Sequence, residues 1–348
     1  MSGGETGETP LHARKAEHLH LAMGDDAGFV GLTTGFEDVR VRARALPGRD
    51  LADVDLSVDL WGRQLYAPLL LSCMTGGTPA AGEVNRALAA AAQHHRVALG
   101  LGSGRVLFDE PERATGFDVR DVAPDVPILA NLGAAQLAER DVADAAWVVE
   151  RCEADALVIH LNAVQEAVQP GGQPAFGGLT ERLAELVQGL SVPVVVKEVG
   201  FGLAPEDVAE LAGIGVAAID VAGAGGTNWA RLEGQRHPDA AAVAEAFLDW
   251  GWPTARTVRS ARTTLDDLGL QSVQLIASGG VRHGVDALKA LCLGADLVGV
   301  ARGVLAAAAE GPSEATAAVG VMARQLRIGA WAAGVGAAGE LDATLLDE

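Results

Sequence analysis

Residues Ala156–Glu166 have the sequence ALVIHLNAVQE, in which a short apolar run passes directly into polar side chains. The run is apolar from Ala156 to Ile159, which is typical of a parallel strand buried on both faces. Four polar residues follow without an intervening turn residue, namely His160, Asn162, Gln165 and Glu166. Each alone could cap the next helix, but a histidine, two amides and a carboxylate together supply what a phosphorylated ligand and its metal require. We therefore predict a buried strand with a binding site at its carboxyl end.

The same unit recurs from Pro68 onward: an apolar run, a Gly-rich or polar turn, and a helix rich in Ala and Leu. The predicted strands are Leu69–Cys73, Val97–Leu101, Ile128–Asn131, Ala156–Leu161, Val192–Lys197, Ala217–Val221, Gln274–Ala277 and Leu297–Val300. The predicted helices are Glu83–His95, Asp141–Cys152, Leu179–Gly189, Pro205–Ala212 and Val285–Cys292. This alternation implies parallel strands joined by right-handed crossovers, and eight units close a (β/α)₈ TIM barrel. A doubly wound sheet is the alternative, which the lack of GxGxxG after the first strand disfavours.

Composition shifts divide the chain into three parts. Residues 1–10 are polar and Gly-rich and are predicted to be a disordered tail. Residues 11–66, with a short β-like piece at Val39–Arg42, are predicted to form an N-terminal cap segment that contributes to the substrate site. Residues 67–348 then form the barrel, with an elaborated loop over Asn228–Pro253 between the sixth and seventh strands.

The bulk composition excludes several classes of partner. The net charge of −20 argues against binding to nucleic acid or to an anionic membrane surface. Three cysteines without a CxxC motif indicate a reducing compartment rather than a disulfide framework. We find neither a leader pattern nor an apolar run long enough to span a bilayer, so the expected location is the cytoplasm.

Nearly every predicted strand ends in glycine together with a hydrogen-bonding group, and the ends of the last two strands are the usual phosphate site of such barrels. Lys197 closes the apolar run Val192–Val196, so its ammonium is predicted to be buried and to need an anionic partner. Glu198 points to the opposite side of the strand and is not expected to be that partner. A lysine beneath an electron-rich ring, with a phosphate bound two strands further round the barrel, describes a site for flavin mononucleotide (FMN).

The motifs match a known family. They are RKAEHL (14–19), MTGGT (74–78), LGSGR (101–105), ANLG (130–133), HLNAVQE (160–166), VPVVVKEVGFG (192–202), DVAGAGGTNWARLE (220–233), WGWPT (250–254) and ASGGVRHGVDALKALCLGAD (277–296). In these stretches the chain resembles type 2 isopentenyl-diphosphate Δ-isomerase, an FMN-dependent enzyme, in register from about residue 14 to about residue 335. The combination of HLNxxQE with KEVGxG is specific to this family, whereas other FMN barrels share only the later glycine motifs.

The resemblance implies roles for particular residues. The residues placed at FMN are Cys73, Met74, Thr75, Ser103, Asn131, Lys197, Thr227, Gly279, Gly280, Ala301 and Arg302. Those placed at the substrate are Arg14, Lys15, His18, Arg105, His160, Asn162 and Gln165. Glu166 takes the position of the Mg²⁺ ligand. Arg14, Lys15 and His18 would hold the diphosphate, and Gln165 and His160 would support the chemistry at flavin N5.

The implied reaction interconverts isopentenyl and dimethylallyl diphosphate in isoprenoid biosynthesis. Reduced FMN would act as the acid and base, kept reduced by NAD(P)H, and we expect a homo-oligomer because such barrels often assemble. The alternative is an FMN oxidoreductase acting on a hydroxy acid or a dihydropyrimidine, which would need a catalytic His, Cys or Ser base at a strand end. A further alternative is a catalytically silent flavin- or phosphate-binding barrel, which would not need Arg14, Lys15 and Glu166.

Overall fold

The computed structural model describes residue 17 and residues 20–110 and 116–347 of the chain. A short antiparallel hairpin, β1 (Val58–Leu60) and β2 (Arg63–Leu65), precedes the main sheet. Eight parallel strands follow: β3 (Leu69–Leu71), β4 (Ala98–Gly100), β5 (Ile128–Gly133), β6 (Ala156–Leu161), β7 (Val194–Glu198), β8 (Ala218–Asp220), β9 (Gln274–Ala277) and β10 (Leu297–Val300). They close into a barrel because β10 pairs with β3. The predicted (β/α)₈ barrel is therefore confirmed, and the doubly wound sheet is wrong.

Alternation along the strands divides the core into two layers. Leu70 points into the barrel, where it packs with Leu129, Val195 and Ile276. Its neighbour Leu69 instead faces the surrounding helices. Each strand therefore buries both faces, which explains why the strands are almost continuously apolar in sequence.

The helices lie outside the barrel. They are α1 (Pro79–His95), α2 (Arg105–Asp109), α3 (Val142–Arg151), α4 (Ala163–Val168), α5 (Leu179–Gly189), α6 (Pro205–Gly213), α7 (Trp229–Arg236), α8 (Pro238–Glu245), α9 (Thr254–Asp267), α10 (Gly284–Cys292), α11 (Arg302–Glu310) and α12 (Pro312–Ala332). Thr78 caps α1 through the backbone N–H of Ala81, and Pro79 occupies its first turn, so this helix begins four residues earlier than predicted. None of the helices in the described part of the chain is long and apolar enough to cross a membrane.

Several predicted boundaries are wrong. Strands β3, β4 and β8 are shorter than expected, while β5 and β7 extend further in the carboxyl direction. The predicted loop Asn228–Pro253 contains the two helices α7 and α8, and Asn228 caps α7 through its side chain. The β-like piece Val39–Arg42 forms only an isolated bridge from Val41 to Leu346.

The segment before the barrel covers both of its ends. The β1–β2 hairpin places Leu60 and Leu65 among the residues that fill the barrel interior, and it lies at the amino-terminal end of the strands because Leu65 is followed closely by β3. At the opposite end, Gly28 bridges to Thr227, and Ala22 lines the cavity described below. The residues after α12 contact the N-terminal segment, with Ala337 bridging to Asp55.

Candidate active site

One cavity of about 610 Å³ opens at the carboxyl ends of the barrel strands. Among the residues that line it are Cys73, Met74, Thr75, Ser103, Arg105, Asn131, His160, Asn162, Gln165, Glu166, Lys197, Thr227, Gly279, Gly280, Ala301 and Arg302. The fold thus brings together all the predicted site residues that the structure describes. Arg14, Lys15 and His18, the predicted diphosphate contacts from the N-terminal segment, lie outside the described residues.

Glycines at the ends of β8 and β9 form a cradle on one side of this cavity. Gly279 and Gly280 have φ angles of 101° and 70°, a backbone conformation that residues other than glycine rarely adopt. A Cβ atom on Gly226 would lie 2.5 Å from the backbone nitrogen of Gly280. Next to the cradle, α11 begins at Arg302, so its first backbone N–H groups face this end of the barrel. Exposed N–H groups, a helix N-terminus and an arginine fit the phosphate of FMN.

Lys197 lies beside the cradle at the end of β7, and its side chain is 12% exposed. Its ammonium lies 3.3 Å from Asp220 Oδ2 and donates to the carbonyl oxygen of Glu198 at 2.9 Å. Ser278 donates to the other Asp220 oxygen at 2.6 Å. The anionic partner predicted for Lys197 is therefore the carboxylate of Asp220, and Lys197 itself lines the cavity.

Glu198 has a different surrounding from Lys197. Its carboxylate accepts hydrogen bonds from the backbone N–H groups of Gly200, Phe201 and Gly202, so it organises the loop after β7. Burial raises the pKa of Glu198 to about 7, while the hydrogen bonds from Phe201 and Gly200 oppose the shift. Its contacts are those of a structural residue, and Asp220 rather than Glu198 supplies the carboxylate that pairs with Lys197, as expected from the direction of Glu198 on the strand.

Cys73 and His160 line the cavity and have side chains of types that can transfer protons in enzymes. Burial raises the pKa of the Cys73 thiol to about 11, and the nearby Lys197 only partly offsets this, so the thiol stays protonated at neutral pH. His160 Nδ1 lies 2.8 Å from Asn131 Oδ1. Because an amide oxygen only accepts, His160 carries a proton on Nδ1. Asn131 thereby fixes both the ring orientation and the tautomer of His160.

Polar side chains at the start of α4 form a connected group. Asn162 Nδ2 donates to Gln165 Oε1 at 3.2 Å and to Glu166 Oε1 at 2.9 Å. The other Glu166 oxygen accepts from the backbone N–H of Gln173 at 2.8 Å. Gln165 Nε2 donates to Glu233 Oε1, also at 2.8 Å. The four side chains hold each other in place at the wall of the cavity.

The donor set around Glu166 determines which metal it suits. No group of three or more His, Cys, Asp or Glu side chains among the described residues could hold a metal ion. Glu166 would supply a metal with a single carboxylate, one oxygen of which accepts from Asn162 and the other from the backbone N–H of Gln173. This fits Mg²⁺, which commonly takes one or two carboxylates and completes its shell with water and substrate phosphate oxygens.

Arg105 lines the cavity from the start of α2. Its Nε donates to Asp109 at 2.9 Å, one helical turn away on the same face. This ion pair neutralises part of the positive charge of Arg105, which was predicted to bind the substrate. Arg105 nevertheless keeps donors in its guanidinium fork that the bond to Asp109 does not use.

Comparison with known proteins adds the family. The model of the FMN-dependent dehydrogenase family matches residues 120–348. An isopentenyl-diphosphate delta-isomerase from Synechococcus sp. is 48% identical over 304 residues, which cover 86% of each chain. One from Xanthobacter autotrophicus is 49% identical over 339 residues, 97% of this chain and 96% of that protein.

The chain belongs to the isopentenyl-diphosphate delta-isomerase family. The resemblance inferred from the sequence motifs is thereby confirmed, and the match to an FMN-dependent family supports FMN as cofactor.

Comparison with solved structures shows proteins of similar fold. The flavin-binding domain of baker's yeast flavocytochrome b2 has a TM-score of 0.66 and 20% identity, and the match covers 95% of this chain and 79% of that one. A mandelate oxidase variant has a TM-score of 0.68 and 24% identity, with 94% of each chain covered. At these identities the likeness extends to the fold alone.

Sequence reasoning missed three cavity-side residues of this isomerase-family chain. Asp220 and Glu233 both lie within the motif DVAGAGGTNWARLE, yet neither was assigned a role. Arg282 lines the cavity after the glycine pair of β9. A usable signal for Asp220 was available, because a carboxylate that ends an apolar strand faces the same problem of burial as Lys197 on the neighbouring strand.

Proposed function

We propose that this protein interconverts isopentenyl diphosphate and dimethylallyl diphosphate, using reduced FMN and Mg²⁺, in isoprenoid biosynthesis. The observation that carries the proposal is the arrangement within one cavity. The glycine cradle and Lys197 lie on one side, and the linked group Asn162, Gln165 and Glu166 lies on the other. The family of the chain supports the same reaction.

The residues on the flavin side would bind the cofactor and set its charge. Gly279, Gly280, Ala301 and Arg302 would hold the phosphate through backbone N–H groups and the guanidinium. Lys197 would lie at the edge of the ring, where a cation stabilises the negative charge of the reduced form. Bound by these residues, reduced FMN would supply the acid and base chemistry for adding a proton at one carbon and removing one from another.

The residues on the substrate side would bind and orient the diphosphate. Arg105, His160 and Asn162 would hold it, together with Arg14, Lys15 and His18 from the N-terminal segment. Glu166 would hold Mg²⁺ against the phosphate oxygens. The strongly acidic protein needs such a local cluster, because its overall charge repels a polyanion.

The state of the ionisable groups supports a role for the cofactor as the proton carrier. Among the described residues that line the cavity, Cys73 is held as a thiol and Glu166 is hydrogen-bonded by Asn162 and Gln173. His160 keeps the proton on Nδ1 toward Asn131. Gln165 would orient the reacting atoms, because its amide is fixed at both ends.

We further propose NAD(P)H as the physiological reductant, the cytoplasm as the location and a homo-oligomeric assembly. The test of the function is to incubate the FMN-loaded enzyme with isopentenyl diphosphate, Mg²⁺ and NADPH without oxygen, and to follow the substrate by proton NMR. We expect conversion to a mixture with dimethylallyl diphosphate. Oxidation of a hydroxy acid or a dihydropyrimidine, with no isomerisation, would instead establish the oxidoreductase.

A further inference from the structure

A buried arginine connects the N-terminal segment to the wall of the cavity. The side chain of Arg236, the last residue of α7, is 1% exposed and lies between two carboxylates. Its NH1 group donates to Glu233 Oε2 at 2.7 Å, and its Nε donates to Glu17 Oε2 at 2.8 Å. Glu233 is itself completely buried, whereas Glu17 is 46% exposed. One guanidinium therefore joins a residue near the start of the chain to a carboxylate beside the cavity.

The chemistry of these groups determines the orientation of the amides beyond them. A guanidinium only donates and an ionised carboxylate only accepts, so Glu233 presents an acceptor to Gln165. Gln165 must then turn its NH₂ group toward Glu233 and its oxygen toward Asn162, as the hydrogen bonds of 2.8 and 3.2 Å show. A protonated Glu233 could donate as well as accept, and the amide of Gln165 could then face either way.

We propose that Arg236 is a positioning residue with two separable effects. By donating to Glu233 Oε2, Arg236 holds the Glu233 carboxylate as the acceptor for Gln165 Nε2 and so fixes the orientation of Gln165 against the reacting atoms. By pairing with Glu17, it anchors the N-terminal segment, in which Arg14 and Lys15 precede Glu17 by three and two positions. This inference rests on the proposed isomerase function and extends it to the coupling between diphosphate binding and the amide that faces the chemistry.

The two contacts differ in the cost of losing them. An unpaired charge at the buried Glu233 is far more costly than one at the half-exposed Glu17, which water can solvate. Removal of the guanidinium should therefore disturb Gln165, whereas removal of the Glu17 charge alone should release only the segment. The first effect would lower kcat, and the second would raise KM for the diphosphate.

Arg231 provides a matched control on the same helix. It also contacts the N-terminal segment, through Asp26 at 3.1 Å and the carbonyl oxygen of Gly28 at 2.8 Å. Asp26 is 86% exposed. Replacing Arg231 therefore removes an arginine from α7 and a contact with the segment, and it leaves the pair of Arg236 with Glu233 in place.

The test compares Arg236→Met, Glu17→Gln and Arg231→Met with wild type in steady-state isomerisation, with FMN content and Tm measured for each. Arg236→Met should lower kcat by about 10- to 100-fold, the range for a charge-assisted hydrogen bond, and should also raise KM. Glu17→Gln should raise KM and keep kcat. Arg231→Met should change kcat and KM by no more than about two-fold, because water can solvate the 86% exposed carboxylate of Asp26 that it leaves behind.

Chemical rescue covers the case in which Arg236→Met does not fold. Arg236→Lys keeps the charge and should pair with the buried Glu233 first, so we expect kcat to recover while KM stays raised. Adding guanidinium ion to Arg236→Ala should restore kcat, and adding it to Arg231→Ala should not change kcat. If Arg236→Met kept the kcat of the wild type, the inference would be overturned while the isomerase function would stand. The same holds if the kcat of Arg236→Lys were no higher than that of a folded Arg236→Ala. Absence of turnover in the wild type would overturn both.

Discussion

Lys197 Nζ lies 3.3 Å from Asp220 Oδ2, and the two residues are direct partners in the register of neighbouring strands β7 and β8. Both side chains point into the mouth of the barrel, and Asp220 is almost completely buried. The carboxylate also holds the loop after β8, because Asp220 Oδ1 accepts from the backbone N–H of Ala222 at 3.2 Å. Ala222 has a φ angle of 36°, an unfavourable value for a residue with a side chain, so this contact keeps a strained turn at the cavity.

Replacing Lys197 by methionine should affect both the flavin and the fold. Methionine has nearly the same length, but it lacks the charge that stabilises a reduced flavin. The variant also leaves the buried Asp220 carboxylate without its cation, so its stability should fall as well. We expect Lys197→Met to lose bound FMN or to resist its reduction. Absorbance spectra of the purified variant with and without dithionite measure both effects. Normal flavin content with normal activity would contradict the role of Lys197.

Replacing Asp220 should cost stability in a way that depends on Lys197. Asp220→Asn leaves a buried ammonium without its anion, which costs about 3–5 kcal/mol in comparable buried pairs. The double variant Asp220→Asn with Lys197→Met removes both charges, so we expect it to be more stable than Asp220→Asn alone. Urea unfolding of the wild type, the two single variants and the double variant, all without FMN, gives the coupling energy. Additive losses would show that the pair does not interact.

Glu198 should make stability depend on pH. Its pKa is raised in the folded protein to about 7 from an ordinary value of 4.5, so the folded state holds a proton that the unfolded state has lost between these values. The contribution of Glu198 to the free energy of unfolding should therefore fall as the pH rises from about 4.5 to 7 and should change little above that. Glu198→Gln cannot ionise and serves as the reference. The difference in unfolding free energy, wild type minus variant, should fall across this window, and a constant difference would contradict the prediction.

Glu166→Gln tests the metal. Glutamine keeps the shape and a carbonyl oxygen but removes the charge, and Mg²⁺ prefers hard anionic oxygen. We expect most of the activity and the response to added Mg²⁺ to disappear, while FMN content remains, because Glu166 lies on α4 beyond the strand end. Isothermal titration of Mg²⁺ in the presence of the diphosphate reports binding apart from turnover. Wild-type metal affinity in the variant would assign the ion to other ligands.

The barrel could be predicted from the sequence because each strand and helix is recognisable from a short stretch of residues. Each strand is a short run of apolar residues, and each is followed by glycine or polar residues and then by an amphipathic helix. The helix α8 was missed because half of Pro238–Glu245 is alanine, which gives little contrast between a buried and an exposed face. The hairpin at Val58–Leu65 was missed because its two strands have three residues each, too few to establish an alternating pattern.

Partners across the site could not be predicted in the same way. The sequence indicated that Lys197 needed an anion, but only the strand register shows that Asp220 supplies it. Glu233 comes within reach of Gln165 only because the chain after β8 forms α7 and returns to the mouth, which brings together residues 68 positions apart. Such contacts depend on the path of the chain as a whole. The residues that line the cavity could be predicted because only their positions at the strand ends had to be known.

The most direct test of the central claim is the number of reducing equivalents used per product. The FMN-loaded wild type is reduced anaerobically with one equivalent of dithionite, mixed with excess isopentenyl diphosphate and Mg²⁺, and followed by flavin absorbance and product analysis together. A proton-transferring isomerase should complete many turnovers and finish with its flavin still reduced. Consumption of one reducing equivalent for each product molecule would contradict the isomerase account and establish an oxidoreductase.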